Sequence, residues 1–231
     1  MQGESLLIQP IFKLGPLVIT NTVVTTWVIM GVIWLLAWMV SRRLRTEPGP
    51  VQTAVEGIVS AIEEAITAVA PQHTEHIMPF IGSLWIFLVI ANLSGLVPMA
   101  HAPTRDLSAT AALAFLVFLS THWFGIRIRG FKAYLRHYLS PSPVLLPFHL
   151  ISEITRTIAL AVRLFGNIMS LEMTALLILL VAGFLAPVPI LMLHIVESLV
   201  QAYIFGMLAL IYVAGGIQSQ QLQQQKGVAN D

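Results

Sequence analysis

Seven side chains able to hold or move charge, His149, Glu153, Arg156, Arg163, Glu172, His194 and Glu197, lie inside the last two long apolar stretches of this sequence. A charge at the centre of a bilayer costs about 2.5 to 3.5 kcal/mol on insertion scales, so such groups normally face water or a partner and mark ion pathways. Histidine and glutamate release and rebind protons, which suits a hydrated access path. Arginine keeps its proton, so Arg163 cannot relay one. A permanent cation can instead hold a neighbouring subunit's carboxylate in its ionised form and block leakage past it.

On a helix turning about 100° per residue, Arg156, Arg163, Asn167, Ser170 and Thr174 fall within roughly 60° of one another. They form a polar stripe with Arg163 near the middle of its segment. Glu172 follows nine residues later, about 180° round the helix, and so cannot pair with Arg163 along it; it is expected to face the next segment. There His194, Glu197, Ser198 and Gln201 recur at i, i+3, i+4 and i+7, again a one-sided polar stripe. A plainer reading makes Arg163 half of an internal ion pair, with Glu172 and His194 as interhelical glue.

The elements that must position these groups follow from composition. Of 231 residues, 57% are hydrophobic and 10% charged, against about 25% charged in an ordinary soluble domain. The mean hydropathy is +0.83. The fold class expected is an all-α integral membrane protein, and disorder is excluded by the same figures. No cysteine is present, which removes disulfides, thiolate metal sites and thiol nucleophiles.

The segment 1–16 has no signal-peptide pattern and is expected to be retained outside the membrane. The stretch 17–41 is long and apolar enough to span as a first helix. Arg42, Arg43 and Arg45 follow it and favour the cytoplasmic side. After Pro48-Gly49-Pro50, apolar residues recur at helical spacing with Gln52, Glu56, Ser60, Glu63 and Glu64 between them, which predicts an amphipathic surface helix over 48–71. Its polar side is acidic, which disfavours anionic lipid; the choice between a solvated interfacial helix and one resting on a protein partner stays open.

A transmembrane hairpin is expected over 79–125, Pro79 to Pro98 and then Leu107 to Gly125, joined by a short external loop ending at Asp106. The basic segment 126–146, with Arg127, Arg129, Lys132 and Arg136, is placed in the cytoplasm. Anchoring explains these charges without nucleic acid. The range 147–217 holds two segments of over thirty residues each, approaching 50 Å as continuous helices against about 30 Å of hydrocarbon. They must tilt strongly or break, as a hairpin. The Gln-rich tail 218–231 reads as disordered and cytoplasmic. The result is five transmembrane helices, the amino terminus outside.

Several motifs are similar to those of one family. Arg163-Leu-Phe-Gly-Asn167, Glu172 at its offset, His194, Gln201-Ala-Tyr-Ile-Phe205, Pro79-Phe-Ile-Gly-Ser-Leu84, Asn92-Leu-Ser-Gly-Leu-Val-Pro98 and Pro103-Thr-Arg-Asp106 together resemble the a subunits of F-type rotary ATP synthases. The resemblance covers nearly everything after residue 75. It implies two offset aqueous half-channels meeting a rotating ring of c subunits, with Arg163 separating them and meeting each ring carboxylate as it passes. Asn167 and Gln201 would support the arginine; Glu172 and His194 would line the external half-channel, with Asp106 near its mouth. The implied partners are the c ring, the b-subunit peripheral stalk, the rest of the ATP synthase and the lipid bilayer. The implied location is a cell inner membrane, with the amino terminus periplasmic and the carboxyl terminus cytoplasmic.

The chain departs from the family pattern at His149, where members often carry a glutamate, and at Thr157, where they often carry a proline. Glu153, one turn after His149, is placed to take over in the cytoplasmic half-channel; Arg156, Ser170 and Glu197 are further candidate lining residues. Protons are the default ion and sodium the alternative. A secondary transporter is disfavoured because the charges sit in one hairpin with no matching front half. A purely structural subunit would leave the buried charges as needless cost. No P-loop, metal-ligand cluster or nucleophile–base pair stands out, so no cofactor, metal or catalysis by the chain alone is expected.

Overall fold

A computed structural model describes residues 10–14, 17–42, 44, 49–96, 102–130, 146–182 and 188–218. Two short strands, β1 (Pro10–Leu14) and β2 (Leu17–Thr20), pair antiparallel. Six helices follow: α1 (Asn21–Arg42), α2 (Pro50–Val69), α3 (Thr74–Leu93), α4 (Leu107–Arg129), α5 (Leu146–Ala182) and α6 (Val188–Gln218). Five of these, α1 and α3 to α6, are long and apolar enough to cross a membrane.

Helix α1 starts at Asn21, four residues later than the expected 17. Leu17-Val18-Ile19-Thr20 is rich in β-branched residues, which fit a pleated strand, and pairs with β1. Helix α3 begins at Thr74 and runs through Pro79 instead of starting there. Pro79 is the sixth residue of the helix, so it forfeits the one bond its N–H would have given the Glu75 carbonyl while the rest of the ladder continues. Helix α4 continues past Gly125 to Arg129 and stops at Gly130, whose φ of 84° terminates it while its N–H donates to the Ile126 carbonyl at 2.8 Å. The expected tail from 219 onward, the basic residues Lys132 and Arg136, and His101 lie outside the described residues.

Helix α2 has Gly49 at its N-cap and Pro50 at its first turn, a favoured helix start. Ile62, Ala65, Ile66 and Val69 pack it into the core, Ile62 coming within 3.7 Å of where a Gly82 side chain would begin. Glu56, Ser60, Glu63 and Glu64 are exposed, as the amphipathic pattern requires.

The core lies between α3, α4, α5 and α6, around Leu88, Val117, Leu164, Phe205, Leu210 and Val213. Helix α6 is its centre, and small residues let its neighbours close in. The Trp85 indole of α3 lies directly over Gly206 and stacks on Tyr203 at 5.9 Å between ring centroids. Gly216 meets α4 the same way; a methyl there would come within 3.0 Å of Thr121 Cγ2. Gly206→Ala should therefore destabilise the protein by about 1–3 kcal/mol through overpacking. The thermal midpoint of the detergent-solubilised chain measures it, and an unchanged midpoint would mean the indole is free to move aside.

Candidate functional site

The charged and polar groups of α5 and α6 separate into three zones along the seam between the helices. In the middle, Asn167 Nδ2 donates to Gln201 Oε1 at 2.7 Å, tying α5 to α6. Arg163, one turn earlier on α5, is exposed, and among the described residues it makes no hydrogen bond or ion pair. Its neighbour Leu164 is fully buried, so the core side of the helix is fixed and the guanidinium is left on the open side.

Beyond Gln201, toward the start of α6, lies a row of buried polar atoms. His194 Nε2, Ser198 Oγ and Gln201 Nε2 have no hydrogen-bond partner among the described residues, nor does Asn92 Oδ1 of α3 opposite. Asn92 is wholly buried and donates from Nδ2 to the Ser198 carbonyl at 3.2 Å, which joins the two helices at this level. His194 Nε2 lies 3.9 Å from where a Gly95 side chain would start, and the Ala102 Cβ lies 3.1 Å from the same point. The end of α3, the turn leading to α4 and His194 therefore converge. Each such atom costs roughly 1–3 kcal/mol if left dry. A row of them supplies the donors and acceptors a water file needs.

Asp106 sits beside this zone but has a structural task. Its Oδ1 caps α4, accepting from Ser108 N at 2.9 Å and Ser108 Oγ at 2.8 Å, while Oδ2 is buried without a hydrogen-bond partner among the described residues. Glu197 is half-buried and Ser170 exposed, its carbonyl accepting from Thr174 Oγ1 at 2.8 Å. Glu172 is on α5 about 13 Å of helix beyond Arg163, and its side chain lies outside the described residues.

The third zone is a cavity of about 560 Å³ at the other end of the seam, between α4, α5 and α6. His149, Glu153, Arg156 and Thr157 of α5 line it, facing Thr121 of α4 and Tyr212 of α6. The Arg156 guanidinium carbon lies 5.6 Å from the Tyr212 ring centroid, within cation–π range. Glu153 Oε2 is 3.3 Å from His122 Nε2 of α4. Gly215 and Gly216 leave the α6 wall without side chains. Between this cavity and the polar row the seam is filled by buried Leu160, Leu164, Phe205, Ala209 and Leu210. Among the described residues the plug is apolar but for the Trp85 Nε1 that lies over Gly206.

The structure thus joins Asn167 with Gln201, and groups His149, Glu153 and Arg156, while holding His194 apart from them. Sequence patterning missed His122, a single histidine in an apolar run whose partner is on another helix. It also missed Trp85 and the pairing of Asn92, although Asn92 belongs to a motif noted above.

A family model described as ATP synthase A chain matches residues 23–214. ATP synthase subunit a 2 of Pelobacter propionicus is 66% identical over 211 residues, 91% of this chain and 92% of the relative. ATP synthase subunit a of Legionella pneumophila is 54% identical over 226 residues, 97% of this chain and 98% of the relative. ATP synthase subunit a 1 of Hahella chejuensis is 62% identical over 205 residues, 89% and 87% of the two chains.

The 2.7 Å bond across the seam should show as coupling. In an Asn167→Leu, Gln201→Leu double-mutant cycle followed by denaturation in mixed micelles, the interaction energy should be about 0.6 to 1.7 kcal/mol, the range known for such bonds in membranes. Additive losses would place the two amides apart.

Proposed function

The chain belongs to the ATP synthase A chain family, and from that premise we propose that it is the proton-conducting stator subunit of the membrane sector of an F-type ATP synthase. The observation that carries this reading is an exposed arginine on α5, one turn before the Asn167–Gln201 bond, with a polar lane to one side and a polar cavity to the other. The dry plug between them supports a detour over the exposed face. A proton would leave one half-channel onto a carboxylate carried past by a ring of c subunits and rejoin the other half-channel after nearly a full turn. Arg163 would keep each passing carboxylate ionised while it lies between the two paths, because an adjacent permanent cation favours the charged form.

In this reading the row at His194, Ser198 and Gln201 is the periplasmic half-channel, with Glu172 and Glu197 near it. The cavity at His149, Glu153 and Arg156 is the cytoplasmic one. Arg42 at the end of α1 and Arg127 at the end of α4 support the orientation, with the amino terminus periplasmic and the carboxyl terminus in the cytoplasm of a cell bounded by an inner membrane. The b-subunit stalk and the remaining synthase would be its other partners. The subunit would carry ions and leave catalysis to other chains.

Arg163→Ala in reconstituted complexes should insert and assemble normally yet lose ATP-driven proton pumping to background, as followed by a fluorescent dye in vesicles. Normal pumping would sink the reading. Glu172→Gln and His194→Ala should each slow transport, and the double variant should be little slower than the worse single one if both serve one path; additive losses would place them on separate paths.

A further inference from the structure

At the wall of the cavity, where Phe118 and Glu153 line it, Glu153 meets a histidine that no pattern in the chain announces. His122 Nδ1 lies 2.9 Å from the Phe118 carbonyl, one turn back on α4. A carbonyl oxygen only accepts, so Nδ1 must keep its proton and donate. The ring's exchangeable position is therefore Nε2, and Nε2 points at Glu153 Oε2, 3.3 Å away. Oε2 itself is fully enclosed. Phe118 also packs its ring against the imidazole, with centroids 4.3 Å apart, which holds the imidazole plane in place.

This geometry admits one proton between the two groups. With none, a bare Nε2 lone pair faces a bare carboxylate oxygen, which is repulsive; with one, either atom donates to the other. The other titratable groups facing the pair are His149 and Arg156 on α5 and Tyr212 on α6, all lining the same cavity. Arg156 is turned onto the Tyr212 ring. Glu153 stands about 15 Å of helix before Arg163, on the cavity side of the dry plug.

Resting on the reading of this hairpin as the ion path, we propose that His122 and Glu153 form a one-proton exchange pair serving the cytoplasmic half-channel, with α4 supplying half of a relay otherwise built on α5 and α6. A proton held on Glu153 Oε2 passes to His122 Nε2 as its O–H bond breaks and the N–H bond forms. The reverse step returns it. Nδ1 keeps its own proton on the Phe118 carbonyl throughout, so the ring neither flips nor changes tautomer.

The test uses the whole complex in inverted vesicles, with acidification of the lumen as readout and Arg163→Ala alongside. His122→Gln keeps an amide donor near the Phe118 carbonyl but cannot titrate, and Glu153→Gln keeps shape without charge. Each should assemble, and each should slow pumping about tenfold or more, as loss of a positioned acid–base group does. The double variant should be no slower than the slower single one. His122→Ala should regain rate when imidazole is added, which a structural defect would not do, and the parent's dependence on cavity-side pH should flatten in all three. Pumping at the parent rate in His122→Gln, or additive losses, or no imidazole rescue in an assembled His122→Ala complex, overturns the pair. If Arg163→Ala is inactive while these variants pump normally, only this inference fails. If Arg163→Ala pumps, or the parent complex does not acidify the lumen at all, the wider reading fails with it.

Discussion

A single amide-to-amide hydrogen bond, from Asn167 to Gln201, sets the register of the two long helices on which everything else is arranged. Within hydrocarbon no water competes to replace such a bond, and helices have no hydrophobic reason to prefer one another over lipid, so a polar tie and close packing decide how they meet. Asn167 and Arg163, one turn apart, share one stripe of α5; Asn167 reaches Gln201 while the longer Arg163 side chain remains exposed. With Gln201 turned inward, Ser198 and His194 follow along the same stripe of α6 and face α3. One tie therefore fixes the level of Arg163 and of the polar lane together.

Close packing around α6 completes the arrangement. Gly206 admits the Trp85 indole, and Gly216 admits α4 at Thr121. These approaches hold α3 against the middle of α6 and α4 against its carboxyl-terminal end. The polar lane forms where α3 meets one end, and the cavity forms where α4 and α5 meet the other. The large apolar side chains Leu164, Phe205 and Leu210 fill the middle. Separation of the two polar ends is thus a packing result, achieved by the same residues that make the core.

The five spanning helices are legible in the sequence because each is a long apolar window with few charges. The stripe through Arg163 and Asn167 is legible because helical geometry places those residues on one side whatever the helix packs against. The short strand Leu17–Thr20 is not, since four apolar, mostly β-branched residues before a helix read equally as its first turn. Pro79 misleads as a boundary because its cost depends on its distance from the helix end. The partner of Asn167 is 34 positions away and no periodicity names it; only the resemblance pointed there. His122 is silent for the same reason, because its chemistry is conferred by Glu153 on a different helix. Asp106 has a task its motif does not announce, since its carboxylate caps α4.

Among the described residues helix α1 touches mainly α3, β2 and the short turn at Pro103–Arg105, and Ile29 is its one buried residue. Trp27, Trp34 and Trp38 all face outward, Trp34 stacks on Trp38 at 6.4 Å, and Arg42 lies 4.2 Å over the Trp38 ring. Mechanically this divides the subunit. Sideways force applied to the α5–α6 hairpin is passed through interlocked contacts into α3 and α4, which form a stiff block with it. Helix α1 stands beside that block, joined to it at α3 and at the Pro103–Arg105 turn, and contributes little to its core.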